Sequence, residues 1–279
     1  MQTTDLNQAE HLDQAGEAED FKNVIADENA PKGIFPWFIP GAESFLATNP
    51  LSHCSLYHNG EAILQPEPEI ALVAELHYAT ENNKLVDGLT VLGFTAFNDC
   101  SRRTNEPKIS FKKNWGTHSQ GIAKSIIPIN DFNQAGGTID QYRLLCYLRR
   151  DGKLHQYGKD TAVADYCYSN QTLVNWITEQ INTQTDFGPL ESIRALLTPR
   201  KPRYVVIGIG ATCYTPFGNS SEKFLRESDE IIVAVYNSNT QNQESVEARI
   251  ANGSASTDGL LLLAQKATCT PKLPASTLA

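Results

Sequence analysis

The sequence predicts an α+β fold dominated by β-structure, on three observations. Strand signals recur from about residue 62 to 235, one stretch alone carries long helical spacing, and 41% hydrophobic residues in a chain of 279 suffice for a sizeable core. Residues 1–30 are polar, with eight acids and one lysine. Ala30 to Gly41 holds Pro31, Gly33, Pro36, Pro40 and Gly41 around an aromatic cluster, which rules out a long helix and predicts a loop with short extended pieces. Strands are expected over Glu69 to Leu76, Leu89 to Phe97, Tyr142 to Arg149, Tyr204 to Gly210 and Glu230 to Tyr236, each bounded by turn residues. Between them, Leu173, Ile177 and Ile181 fall at helical spacing within Tyr168 to Gln184, and Gly188-Pro189 stops the pattern. Beyond Tyr236 the chain turns rich in Ser, Thr, Asn, Gln and Ala. Residues 238–279 are therefore expected to form a polar, loosely ordered tail with at most a short helix around Leu260 to Lys266.

Composition narrows the function. A formal charge of −9 is the wrong sign for holding a phosphate backbone, so no nucleic-acid partner is expected. Apolar runs such as Ile70 to Ala74 and Leu260 to Ala264 are far short of a membrane helix. The acidic start lacks the basic and apolar regions of a secretory signal, which predicts a soluble, cytoplasmic protein with no membrane partner. Cys54, Cys100, Cys146, Cys167, Cys213 and Cys269 form no C-x-x-C pair. They read as small buried hydrophobes in a reducing compartment, with no catalytic cysteine among them.

Three short stretches carry candidate chemistry. In Gln65-Pro66-Glu67-Pro68-Glu69-Ile70, residues i and i+2 of an extended segment share a side, so Glu67 and Glu69 place two carboxylates together at the start of an apolar strand. The pair is either solvated or held by a cation. In the second case oxygen-only ligands suit a hard ion such as Mg²⁺ or Mn²⁺. Asp99 closes another apolar strand just before Arg102 and Arg103, as a surface turn or as a third acid. Lys113, in Lys112-Lys113-Asn114-Trp115-Gly116-Thr117, is either a surface charge or a cation aimed at an anionic substrate.

Taken in order, E-x-E, N-D-x-S-x-R, K-N-W-G-T and a glycine-rich strand end resemble the fumarylacetoacetate hydrolase family over roughly residues 60 to 237. The resemblance implies a mixed β-roll or barrel with a few packed helices. Residues 61–237 would be the catalytic roll, and residues 1–60 a segment contributing a lid over the site. It further implies a homodimer and a Mg²⁺ or Mn²⁺ site made by Glu67, Glu69 and Asp99. Lys113 matches the active-site lysine, with Lys124 as the fallback, and Asn98, Asp99, Ser101 and Arg103 match the second motif. Gln156, in a stretch similar to the family's hairpin, Arg103 and Thr212 are the implied substrate-binding residues. His11 matches the histidine of a water-activating dyad. Gln14 stands in the dyad's glutamate position, leaving Glu17 to fill the role, and Ile39 occupies the position of a family lysine. The implied activity is hydrolysis of a C–C bond in a diketo or 2-oxo acid of the acylpyruvate or fumarylpyruvate type, through an enolate held at the ion. The alternatives are a decarboxylase or isomerase of a 2-oxo acid, or a catalytically silent ligand-binding protein that keeps the fold.

Overall fold

The computed structural model describes residues 2–3, 21–22, 24, 30–60, 62–81, 83–253 and 256–269. Its centre is an antiparallel hairpin of two long strands, β6 (Pro68–Tyr78) and β7 (Val86–Asn98), paired from Pro68 opposite Asn98 to Tyr78 opposite Val86. Alternation sorts their side chains: Ile70, Leu72, Ala74 and Leu76 enter the main core, whereas Ala71 and Phe97 lie with Trp37 in a separate cluster on the other face.

The hairpin is extended by β1 (Gln2–Thr3), β2 (Ile34–Phe35), β3 (Leu51–Ser52), β9 (Gln120–Ile122) and β13 (Tyr204–Ala211) in the order β2-β1-β13-β6-β7-β9-β3. β10 (Ile127–Pro128) also pairs with β7, which makes an eight-stranded open sheet. A second sheet of five strands runs β12-β11-β14-β15-β4, from β4 (Ser55–His58), β11 (Tyr142–Arg150), β12 (Lys153–Ala162), β14 (Glu230–Asn237) and β15 (Leu260–Cys269). β5 (Leu64–Gln65) and β8 (Ser101–Arg102) make a small ribbon. Asp151 and Gly152, both at positive φ, close the β11–β12 hairpin with the turn geometry that suits the strands' right-handed twist.

The two larger sheets enclose one core, to which Leu144, Cys146 and Leu148 of β11, Ile231, Val233 and Val235 of β14, and Leu261 and Leu263 of β15 contribute. Helix α1 (Ile109–Lys113) precedes α2 (Asn170–Thr183), whose Leu173, Val174, Ile177 and Ile181 are buried in this core as the helical spacing predicts. Each such side chain contributes about 1.5–3 kcal/mol of burial. Helices α3 (Ile193–Leu197) and α4 (Gln243–Ala251) follow, the latter with an Asn242/Ser245 capping box and with Val246 and Ile250 packed on Tyr147 and Tyr236.

The five strands expected from the sequence are present, each extended by one to four residues. Two expectations are corrected. Residues 238–253 and 256–269 are not a loose tail: they supply α4 and then β15, which is hydrogen-bonded on both sides within the second sheet. Four leucines followed by Ala264 have no period that separates strand from helix, and only the partners β14 and β4 decide. The cysteines are also not uniformly buried, since Cys54, Cys167 and Cys269 are exposed; all six are free thiols. No described helix is long and apolar enough to cross a membrane.

Candidate active site

The start of β6 and the end of β7 meet at one end of the central hairpin, and that junction gathers the acids. Pro66 and Pro68 bias Gln65 and Glu67 toward extended backbone. The Asp99 N–H donates to the Glu67 carbonyl at 2.9 Å, and the Glu67 N–H donates to Asn98 Oδ1 at 3.2 Å, which locks the two acids across the strands. Glu69 lies two residues into the hairpin opposite Phe97 and shares the face of Ala71. The Gly210 N–H points at Glu69 Oε2 from 3.5 Å. Gly210 sits at φ 117, beside an irregularity in the β13–β6 pairing that only glycine tolerates without strain. Glu67, Glu69 and Asp99 are 4%, 1% and 0% exposed, and each offers one carboxylate oxygen within 4.8 Å of the others.

Two cations enter this cluster. Lys113, the last residue of α1 and 1% exposed, donates from Nζ to Glu67 Oε2 at 2.7 Å and to the Asp99 carbonyl at 3.1 Å, and it pairs with the Asp99 carboxylate. Arg103 donates to Glu67 Oε1 at 2.8 Å and to Gln65 Oε1 at 3.0 Å. Three carboxylates brought this close out of water favour positive charge beside them. The donor set is all oxygen. Its spacing accommodates the oxygen–oxygen edges and diagonals, about 3 to 4.2 Å, of an octahedron of radius about 2.1 Å, so the residues fit a Mg²⁺- or Mn²⁺-sized ion.

Of the residues singled out in the sequence, the structure brings together Glu67, Glu69, Asp99, Lys113 and Arg103. Lys124 is exposed and lines a cleft with Arg149, Glu230 and Ile250. Gln156 is not brought to the acids. It lies opposite Tyr147 and accepts from Gln243 of α4 at 3.2 Å, on the outer face of the second sheet, while its neighbour Tyr157 points into the core. Thr212 is beside Glu69, but both its donors are spent on the fold: its N–H reaches the Pro68 carbonyl at 3.3 Å and its hydroxyl the Lys159 carbonyl at 2.5 Å. His11 and Glu17, like Gln14, lie outside the described residues. Ile39 is buried, so the position of the family lysine is an apolar packing position here.

The sequence reading passed over a belt of buried amides behind the acids. Gln120 Nε2 donates to the carbonyls of Lys113 at 2.6 Å and Cys100 at 2.9 Å, and the Ser119 hydroxyl reaches the same Lys113 carbonyl at 3.1 Å. Asn98 and Gln265 complete the belt at 2.9 Å. The available signal was a glutamine at an inward position of an apolar run, Gln265 after Leu261 and Leu263. Trp37 covers Ala71 and Phe97 on the face bearing Glu69, and Asn114 ties this segment to the end of α1 by donating to the Trp37 carbonyl at 2.7 Å. Burial and the Glu67 carboxylate push the Cys100 thiol far up, so it stays protonated and inert.

A buried, all-oxygen carboxylate site at the end of a β-hairpin, inside an open two-sheet fold, is the arrangement expected of the fumarylacetoacetate hydrolase fold. The sequence resemblance implies that fold, and the open two-sheet architecture with its buried acids agrees with it. The chain belongs to a family of unknown function, DUF5718, matched over residues 17–267. No curated protein matches it. Among solved structures it is similar to a "putative HpcE protein" from Mycobacterium smegmatis, with a TM-score of 0.51 and 13% identity over 97% of this chain and 74% of that one. It also matches yeast ynq8, a fumarylacetoacetate hydrolase family protein, at TM-score 0.46 and 14% identity over 86% and 83% of the two chains. A maleylpyruvate hydrolase from Sphingobium sp. SYK-6 in complex with manganese(II) and pyruvate matches at TM-score 0.43 and 12% identity, over 80% of this chain and 60% of that one. The chain spans 63%, 60% and 59% of the length of three further solved structures of this kind.

Proposed function

We propose that the protein is a divalent-metal-dependent hydrolase that cleaves a C–C bond in a diketo or 2-oxo acid of the acylpyruvate type. The observation that carries this reading is the buried Glu67, Glu69 and Asp99 cluster with Lys113 2.7 Å from Glu67. Glu67, Glu69 and Asp99 would hold Mg²⁺ or Mn²⁺. When bound, the ion supplies Lewis acidity to two chelating oxygens of the substrate.

The chain's own groups do the rest. Arg103 fixes Glu67 from one side and places positive charge beside a substrate carboxylate. Lys113 is a buried ammonium next to the reacting centre, and in that low-dielectric surrounding it neutralises negative charge as it develops on the departing fragment. His11, aided by Glu17, takes the proton of the attacking water. The water oxygen bonds to the acyl carbon, the C–C bond breaks with its electron pair left on the pyruvate fragment, and a proton returns to that carbon. Residues 1–60 supply the lid, with Trp37 excluding water from the face that carries Glu69. The working unit is proposed to be a homodimer, which light scattering in solution checks.

The test is turnover. Purified protein with Mg²⁺ or Mn²⁺ is offered acylpyruvates, fumarylpyruvate and oxaloacetate, and the products are read by mass spectrometry with and without a chelator. Metal-dependent release of pyruvate from an acylpyruvate is expected. Gln14 in the dyad position and the buried, uncharged Ile39 favour a second reading, decarboxylation or isomerisation, which needs no activated water. Loss of CO₂ from oxaloacetate without acylpyruvate cleavage would select it. No metal-dependent product from any of these would remove both.

A further inference from the structure

We infer that Gln265, on β15, is a positioning residue that sets the metal-binding carboxylates and Lys113 from the far side of the core. The inference deepens the metal-site reading and rests on it for its metal readout only.

Gln265 is 1% exposed and uses both ends of its amide. Oε1 accepts from Asn98 Nδ2 at 2.9 Å, and Asn98 in turn accepts the Glu67 N–H through Oδ1 at 3.2 Å. Nε2 donates to the Ser55 carbonyl at 2.9 Å and to the Gln120 carbonyl at 3.4 Å, and Gln120 holds the Lys113 carbonyl at 2.6 Å. One side chain therefore has two branches. The first ends on the backbone of Glu67 and orients Asn98, the neighbour of Asp99. The second ends on the backbone of the lysine that faces both acids. An amide has the right inventory for this, since it accepts at one end and donates at the other without adding charge to a cluster already rich in it. Groups behind the ligands that fix their orientation commonly matter 10–100-fold to metal affinity.

The fold makes room for the contact. Gly121, on β9, sits where any Cβ would collide with Gln265 Oε1 and crowd its amide carbon, and this glycine is the register partner of Asn98. A glycine here is thus a space requirement, set first by Gln265 and then by Leu263 Cδ2, rather than a backbone requirement. It gives a second route to the same defect, because an alanine at 121 displaces the amide while leaving it chemically intact.

The experiment compares Gln265→Met, Gly121→Ala and, as a control for plain core damage, Leu261→Ala on the inward face of the same strand. Two quantities are read. The first is Mn²⁺ affinity by calorimetry. The second needs no metal: the hydrogen–deuterium exchange rate of the Glu67 backbone N–H, which the relay holds through Asn98, relative to that of Val233 in the central core, by NMR. Gln265→Met and Gly121→Ala are expected to weaken Mn²⁺ binding at least 10-fold and to raise the Glu67/Val233 exchange ratio severalfold. Leu261→Ala is expected to lower Tm while leaving Mn²⁺ affinity within twofold and the ratio unchanged. An unchanged ratio in both test variants, or the same rise in Leu261→Ala, would overturn the inference whatever the metal does. A wild type that binds no Mn²⁺ while the ratio still rises in the two test variants would defeat the metal reading and leave the positioning role standing.

Discussion

Two buried charge clusters in this protein are built on opposite principles. Around Arg150 every donor has its acceptor: Nε and Nη2 grip Asp229 at 2.9 and 2.6 Å, Nη2 also reaches the Phe224 carbonyl at 2.8 Å, and Nη1 reaches the Glu222 carbonyl at 2.9 Å. The Arg226 N–H closes on Asp229 at 2.7 Å. These bonds to Asp229 hold the guanidinium above its ordinary pKa, and the cluster needs nothing more. At the junction of β6 and β7, three carboxylates are gathered within 4.8 Å of one another, with Lys113 and Arg103 paired to them. Balanced charge ties the 219–229 loop to the sheet. Three carboxylates crowded together out of water cost stability.

The comparison is sharpest where one partner of each cluster is removed. Arg150→Met strands Asp229 and is expected to cost about 3–5 kcal/mol in urea unfolding, with Mn²⁺ affinity unchanged in the folded fraction. Lys113→Met removes the cation that faces both Glu67 and Asp99. It is expected to cost about 2–4 kcal/mol in metal-free protein, to regain most of that in saturating Mn²⁺, and to lose at least ~100-fold in turnover. A loss that Mn²⁺ fails to restore would make Lys113 a structural ion like Arg150.

A further acid, half-buried, belongs to neither cluster. Burial pushes Glu191 up to about 7, against the hydrogen bond from Ser110 and the nearby Lys108. Its folded pKa lies above its ordinary 4.5, so its contribution is fully present below about pH 4.5 and is lost as pH rises through about 7. Wild type is expected to lose on the order of 2 kcal/mol across that window, with Glu191→Gln nearly flat there in urea melts at pH 5 and 8. The smallest effect is expected of Gln156→Ala. With its amide on the α4 side, it should shift stability by less than about 1 kcal/mol and leave turnover and Mn²⁺ affinity as they are. A collapse in turnover would return Gln156 to the site.

These contrasts also show what a sequence can and cannot disclose. The central strands and α2 were legible because alternation and helical spacing are local, and the acids were legible because proline-flanked Glu67, strand-borne Glu69 and strand-ending Asp99 fall in short motifs. Lys113 could be separated from Lys124 only once α1 carried it to Glu67. Gln156 was misplaced by parity: one step along β12 exchanges the core face for the α4 face, and the register is set by β11. β15 was missed because a run of leucines carries no period, and Gln265 because its partners Asn98 and Gln120 are 167 and 145 residues away.

The most direct measurement is calorimetric titration of the metal-free protein with Mn²⁺, with and without oxalate, beside Asp99→Asn. The account predicts one Mn²⁺ per chain, bound more tightly with oxalate. It predicts binding at least ~100-fold weaker in the variant, at a urea midpoint equal to or above wild type because a buried repulsion is relieved. Equal Mn²⁺ binding by Asp99→Asn, or no binding by the wild type, would contradict it.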